Sequence, residues 1–467
     1  MCIAMTQSRE MALTRWKVFT CVLLTCIPCG WPQNTPQKES DEPLAVFTEH
    51  PRLLLRPQRL RLLKRERERT SMRWQQFENL VAGKAPMPEP GFALALYYQV
   101  SGDRNAGRQA VEWALAPGSD LRQVAMVFDW CQDILDPAQS KTLIARIEKS
   151  LTQPSTYGSV ATVRDRVFGA IAIADHVPDA PRRELEAVVR QWWKKQVLPA
   201  LESGKEVIAR DSYLALFEML HAFRDNLNVD LRESAPRYFK NLPAYHLVSH
   251  YPASYPAPES EYRIPMTKGA REPDLLEAVR SRAAGFAMVA YDVNAGESQV
   301  LQGWLMHDNF MMRGTWGAPY ELLWANPYLP GLSYFLAPMV YYDETFGRLF
   351  ARSSWDDDAV WFGCSDGDMQ VFREGRQILI TREADPQPLS IATAQIAFGF
   401  KARQFKITLE EGQAFFIVGL PPDKVFELEA DDEETREVRT DHGGTLPLIL
   451  PHGTTIQFRL YEPRKAG

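Results

Sequence analysis

The side chains able to move a proton or hold a charge concentrate between Lys205 and Pro265. This stretch carries His221, His246 and His250 of the chain's eight histidines, the carboxylates Asp211, Glu218 and Asp225, and an aromatic, proline-rich exit, YPASYPAPESEYRIP. Up to about Asn226 the pattern predicts one helix. At about 100° per residue, Leu216, Leu220, Phe223 and Leu227 share a face, with Tyr213 and Phe217 on its edge. Asp211, Glu218, His221 and Asp225 fall opposite. In a simple bundle that polar face meets water; in a helix lining a cavity it offers a ligand a row of acid and base groups. The surrounding elements decide between the two.

Composition narrows the classes. The chain has 467 residues, 45% hydrophobic and 24% charged, a globular balance with room for two or three domains. A net charge of −6 and a pI near 5.9 leave no basic field for nucleic acid, although a single cleft can still be locally basic. Arg15 and Lys17 precede the apolar run VFTCVLLTCIPC, which has the length of a signal-peptide core. The expectation is a signal peptide over residues 1–30, a polar linker over 31–43, and a secreted or periplasmic protein with no stable membrane span after cleavage. A lipoprotein signal ending at Cys26 fits less well, because Thr25 precedes it. Four of the six cysteines lie in the leader, so Cys131 and Cys364 imply no disulfide framework.

From Leu44 to about residue 330 helical periodicity is broken by Ser101-Gly102-Asp103, Pro117-Gly118-Ser119, Asp136-Pro137 and Pro178-Asp179. Successive helical hairpins without a sequence repeat predict an α/α toroid, complete or open, over residues 44–330. In it an inner helix can face a central cavity. The basic run Arg59 to Arg69 predicts a solvated helix face. From residue 346 to 467 the period changes to short strands between tight turns, which predicts an antiparallel β-sandwich. The predicted fold class is multidomain, α then β.

Two stretches sharpen this picture. HPRLLLRPQRLRLL resembles the opening of the heparinase II/III-like family, and LFARSSWDDDAVWF resembles the start of its C-terminal sheet domain. The resemblance spans most of the chain after the leader, carried by these two stretches alone. It implies an exported polysaccharide lyase that cleaves uronic-acid polymers by β-elimination. A base removes the proton α to the carboxylate, cations or donors neutralise that carboxylate, and an acid protonates the leaving oxygen. By position and residue type the resemblance implies His221 with Glu218 in catalysis and Tyr262, or Tyr255, as the acid. Arg210, Arg263 and Tyr255 would then face the substrate, an acidic polysaccharide or oligosaccharide.

The sequence departs from the family where a stretch containing His and Asp normally follows the sheet-domain start. Here GCSDGDMQVFREGRQIL has no histidine, and His442 and His452 fall in late turns. Asp366 and Asp368 alone make a poor zinc site, so no metal or cofactor is expected. Two alternatives stay open. One is a glycoside hydrolase using a carboxylate pair among Asp211, Glu218, Glu259 and Glu261. The other is a glycan-binding protein without catalysis, which the missing histidine favours. No phosphate-cradling, dinucleotide, zinc-protease or serine-hydrolase motif is present.

Overall fold

The computed structural model describes residues 44–154, 157–255, 262–269, 274–307, 312–383, 386–430, 435–450, 452–453 and 455–463. The signal-peptide and linker readings (1–43), and Glu259 and Glu261, lie outside these residues. The helical region comprises α1 (Pro57–Glu68), α2 (Met72–Ala82), α3 (Pro90–Ser101), α4 (Arg104–Leu115), α5 (Leu121–Trp130), α6 (Pro137–Thr152) and α7 (Val160–Ile173). It continues with α8 (Asp179–Ala187), α9 (Leu198–Glu202), α10 (Tyr213–Leu227), α11 (Pro236–Val248), α12 (Leu275–Tyr291), α13 (Gly296–His307) and α14 (Gly314–Trp324). The turn clusters read from sequence are largely helix caps. Asp103, Asp120, Asp136 and Ser159 each accept a backbone N–H in the first turn of α4, α5, α6 and α7. At α6, Gln139 completes a capping box.

The helices pack in two layers. In the inner one, α5 lies between α3 and α7, α10 between α7 and α12, and α14 between α12 and α2. The rings of Phe92 on α3 and Tyr320 on α14 meet with centroids 5.2 Å apart. Outside, α4 covers α3, α6 covers α5 and α7, α8 covers α7, and α13 covers α12. Because α10 has inner neighbours on both sides, its polar face is not open to water. Tyr213 through Phe223 are all buried, Glu218 and His221 included. The basic run does more than line a solvated face. Arg67 of α1 donates to the carbonyls of Val100 and Ser101 at the end of α3, and the Arg59 guanidinium sits 4.4 Å over the Trp324 ring.

Three inner helices meet at Glu218, and Arg122 ties them to two more segments. Arg122 of α5 donates to its two oxygens at 2.6 and 3.2 Å, and Arg164 of α7 donates to Oε2 at 2.6 Å. Arg122 also reaches Glu89, the residue before α3, at 3.2 Å, and the Tyr320 hydroxyl donates to the same Glu89 oxygen at 2.5 Å. Burial pushes the Glu218 carboxyl up, but the two guanidiniums outweigh it and hold the group below the usual carboxylate range.

Between α11 and α12 in the chain, β1 (His250–Ser254) and β2 (Arg263–Pro265) form an antiparallel pair. After α14 an antiparallel meander runs through β3 (Val340–Asp343), β4 (Arg348–Arg352), β5 (Trp361–Ser365), β6 (Asp368–Arg373) and β7 (Arg376–Leu379). The remaining strands are β8 (Leu389–Ile391), β9 (Ala394–Phe398), β10 (Gln404–Thr408), β11 (Ala414–Val418), β12 (Val425–Ala430), β13 (Arg436–Arg439), β14 (Leu446–Leu448) and β15 (Thr455–Tyr461). They form two sheets, ordered β14-β11-β9-β8 and β10-β15-β12-β13. The β region therefore has three sheets where a two-layer sandwich was expected. Pairing is antiparallel except between β9 and β11, which run parallel because β10 crosses to the other sheet between them.

The first sheet is a middle layer, so β4 and β5 are buried at every position. Phe350, Trp361 and Phe372 join the helical core, whereas Leu349, Phe362, Cys364 and Val371 pack on Ile396, Phe416 and Val418 of the second sheet. Gly363 is required by the neighbouring indole, since a Cβ there would lie 2.2 Å from Trp361. Helices and sheets belong to one compact unit, Leu44–Gly467. Cys131 and Cys364 are both buried and free.

Truncating Glu218 strands two buried guanidiniums, so Glu218→Ala is expected to cost about 3–5 kcal/mol of unfolding free energy. Urea denaturation with an unchanged m-value measures that loss.

Candidate functional site: a cationic junction between helices and first sheet

The β1–β2 pair stands where the inner helices meet the first sheet, and side chains from both fix it there. Trp361 Nε1 donates to the Val248 carbonyl at 2.9 Å, and the Tyr251 hydroxyl donates to Gln370 at 2.7 Å. Gln370 in turn donates to the Thr267 carbonyl at 2.6 Å, and the Tyr251 ring stacks on Phe372 with centroids 5.0 Å apart. Arg210, at the start of α10, holds the far end of β2 by donating to the Met266 carbonyl at 2.6 Å and to the Tyr245 hydroxyl at 2.7 Å.

Four of the six residues implied from the sequence gather on this hairpin. Tyr255 follows β1, Tyr262 precedes β2, Arg263 opens β2, and Arg210 braces its end. The Tyr255 ring meets Tyr251 and Phe372 edge-on, and the Tyr262 hydroxyl donates to the Arg313 carbonyl at 2.9 Å. Arg263 pairs with the exposed Asp357 at 2.7 Å.

The sequence pattern did not single out Arg352, which ends β4 within the ARSSW stretch. It is 4% exposed, donates to the Ser354 carbonyl at 2.8 Å, and lies 3.9 Å over the Trp355 ring. Among the described residues no carboxylate forms an ion pair with it. Burial, and then the nearby Arg263 guanidinium, push its pKa down to about 9. Two guanidiniums and an indole plane thus sit at the junction, and the buried one has no paired carboxylate among the described residues. Trp355 is itself 3% exposed, with the Arg352 guanidinium over its indole and the Tyr334 ring edge-on to it, so it braces the buried cation and offers no free face. The signal was present in LFARSSW, a stretch whose resemblance bears on fold more than on activity.

Glu218 and His221 lie apart from this group. Glu218 is committed to Arg122 and Arg164. His221 is sealed between the Tyr291 and Trp324 rings, with centroids 4.8 and 4.7 Å away. Its Nε2 is 3.0 Å from the Ala287 carbonyl, and Arg224 donates to Nδ1 at 3.1 Å. Both ring nitrogens are engaged, so the open polar face expected of α10 is not what the fold presents. The helix period located these residues correctly around the axis; the packing of α7, α12 and α14 removed the cavity from that side. Asp211 is exposed.

His246 and His250 are also buried. His250 Nδ1 donates to the His246 carbonyl at 2.6 Å, and Nε2 lies 3.1 Å from Ser281 Oγ. Burial is the largest cause lowering all three histidines, with His246 held at about 3 and His221 and His250 well below the ordinary value.

No family model matches the sequence, and no curated protein matches it. A solved structure described as a glycoside hydrolase aligns over 80% of this chain and 71% of its own length, at 10% identity and a TM-score of 0.29. That likeness is too slight to carry an argument about fold or chemistry. Among the described residues no helix is long and apolar enough to cross a membrane.

The three neutral histidines fix the sign of a pH dependence. Below pH 6.5 the unfolded chain binds protons that these folded-state imidazoles refuse, so their contribution to stability is complete above that pH and is lost beneath it. With all three titrating only in the unfolded chain, their combined slope approaches about 4 kcal/mol per pH unit below 6.5, from about 1.4 per group, and Glu321, which burial raises to about 7, offsets about 1.4 of it. Urea midpoints at pH 7, 6 and 5 check this, and a flat profile would contradict neutral burial.

Proposed function

We propose that this is a carbohydrate-active protein that engages uronic-acid polymers, holding a sugar carboxylate at Arg263 with the buried Arg352 guanidinium behind it. The observation that carries this reading is Arg352, a buried cation near Arg263 that forms no ion pair among the described residues and feels Asp356 and Asp357 only through space. A uronate would supply the missing charge. Tyr255 and Tyr262 flank the same hairpin, in keeping with the lyase reading implied by the two family-like stretches. In that reading the arginines stabilise the charge that grows on the sugar carboxylate while Tyr262, as phenolate, takes the α-proton and then returns it to the leaving glycosidic oxygen. Export to the periplasm or beyond is proposed with it.

A second reading, glycan binding without turnover, is favoured by the geometry of His221, whose two nitrogens are occupied and shielded. The hydrolase alternative loses Glu218 for a similar reason, since two arginines hold it as a buried carboxylate.

A panel of uronate polymers assayed for unsaturated product, absorbing near about 235 nm after proton abstraction creates the double bond, tests these together with direct binding. Arg352→Met and Arg263→Gln should each weaken binding at least about tenfold, or about 1.4 kcal/mol, with circular dichroism unchanged. Product that Tyr262→Phe abolishes would establish elimination. Binding without product would leave the second reading, and binding of no acidic glycan would sink the proposal.

A further inference from the structure

The HPRLLL stretch builds a second constellation, distant in the chain from the junction residues. His50 lies before α1, Asp129 in the last turn of α5, and Asp175 and His176 just beyond α7. His50 Nδ1 is 2.5 Å from Asp129 Oδ1, while Asp129 Oδ2 accepts the backbone N–H groups of Arg52 and Leu53 at 2.9 and 2.8 Å. That second carboxylate fixes the imidazole and turns its other nitrogen outward. Nε2 faces Asp175 Oδ2 at 3.3 Å, and His176 Nε2 approaches the same oxygen at 3.8 Å. The ligand atoms of His50, Asp175 and His176 all lie within 4.8 Å of one another.

We propose that His50, Asp175 and His176 bind a divalent transition-metal ion of the zinc class, and that the ion clips the segment before α1 to the end of α7. Tetrahedral zinc with bonds of about 2.0–2.1 Å places its ligands about 3.3–3.4 Å apart. The His50–Asp175 separation already matches. Closing the others takes a small rotation of His176, whose side chain is 33% exposed and whose ring touches Phe128 on one side. Two imidazoles and a carboxylate are a donor set suited to zinc, cobalt or nickel. The Asp129–His50 contact is the outer partner that a metal-bound histidine requires, fixing the tautomer with Nε2 free to ligate. Arg52 holds the other Asp175 oxygen, Oδ1, at 2.5 Å and donates to the Ala172 carbonyl at 3.0 Å, so Asp175 is positioned before any ion arrives. The side chains of His50 and Asp175 are 15% and 24% exposed, which leaves an entry path and a position for water.

The test is metal titration of the full chain, with Cys2, Cys21, Cys26 and Cys29 replaced by Ser in every sample to silence thiolates. Isothermal titration with Zn²⁺ and visible absorption with Co²⁺ should give one equivalent and the ligand-field bands of a low-coordinate site. Thermal unfolding should rise by about 1–2 °C per tenfold increase in free Zn²⁺ above Kd. His176→Ala removes a solvent-reachable ligand without touching the buried Asp129 contact, and should weaken binding at least about tenfold while leaving the metal-free Tm within about 1 °C. Absence of a stoichiometric equivalent, or affinity unchanged in His176→Ala, overturns the proposal.

Discussion

A carboxylate buried among helix ends organises the helical region. The inner helices cannot meet at one place with apolar chains alone, because the N-terminal ends of α5 and α7 and the residue before α3 bring backbone and side-chain polarity with them. Glu218 answers with two oxygens for two arginines, and Arg122 passes the link on to Glu89 and Tyr320. The desolvation of such a cluster offsets much of its Coulomb gain, so its net stabilisation is small. Its effect is on arrangement. An inner helix displaced along its axis would leave a buried charge unpaired, a penalty of several kcal/mol, and this sets the height of α10 relative to α5 and α7. The position of Arg210 at the head of α10, and through it the β1–β2 pair, follows.

The first sheet supplies the other fixed wall. Its strands are buried on both faces, with Trp361, Phe350 and Phe372 committed to the helices and their alternates committed to the second sheet. A one-residue slip would exchange these sets and push Gln370, which is hydrogen-bonded to Tyr251 and Thr267, into an apolar layer. Register is therefore specified from both sides. Arg352 is carried on this wall at the end of β4, where relaxing toward solvent would cost the stack on Trp355 and the bond to Ser354. A cation held in place against its own solvation is suited to a negatively charged partner, because the site's electrostatic cost is met by the scaffold before binding.

What could be read from the sequence was set by the range of each signal. The period near 3.6 residues put Leu216, Leu220 and Phe223 on one side of α10 and Glu218 and His221 on the other, and the change to period two near residue 346 marked the passage from helices to sheets. Periodicity reports a face, not what stands opposite it. Arg122 and Arg164 lie 96 and 54 residues from Glu218, so nothing local announced that the polar face would meet arginines rather than water or a ligand. The Arg59 to Arg69 run is largely the solvated face its charge suggests, with Arg61, Lys64, Arg65 and Arg69 exposed, but the α3 carbonyls capped by Arg67 could not be read from it. The nearness of Tyr255, Tyr262 and Arg263 was legible because one hairpin holds them together, and Arg210 reaches it from the head of α10. Arg352 joined them across the helix–sheet boundary, where sequence separation hides contact.

The opposed charged constellations also follow from helix direction. Glu89, Arg122 and Arg164 lie in or beside the first turns of α3, α5 and α7, and Arg210 lies just ahead of α10, so these four helices present their N-terminal ends toward the same region. Asp129 and Asp175 lie at the C-terminal ends of α5 and α7. Backbone dipoles leave partial positive charge at the first set of ends and partial negative charge at the second, worth about 0.3–1 kcal/mol per charge near each terminus. The N-terminal side thus favours an anion and the C-terminal side a cation, before any side chain is counted. The side chains follow the same polarity: guanidiniums accumulate where a carboxylate would be drawn, and the imidazoles and carboxylate of His50, Asp175 and His176 accumulate where a cation would be. Because these inner helices run parallel, the bundle they form has chemically opposite ends, joined through α5 and α7.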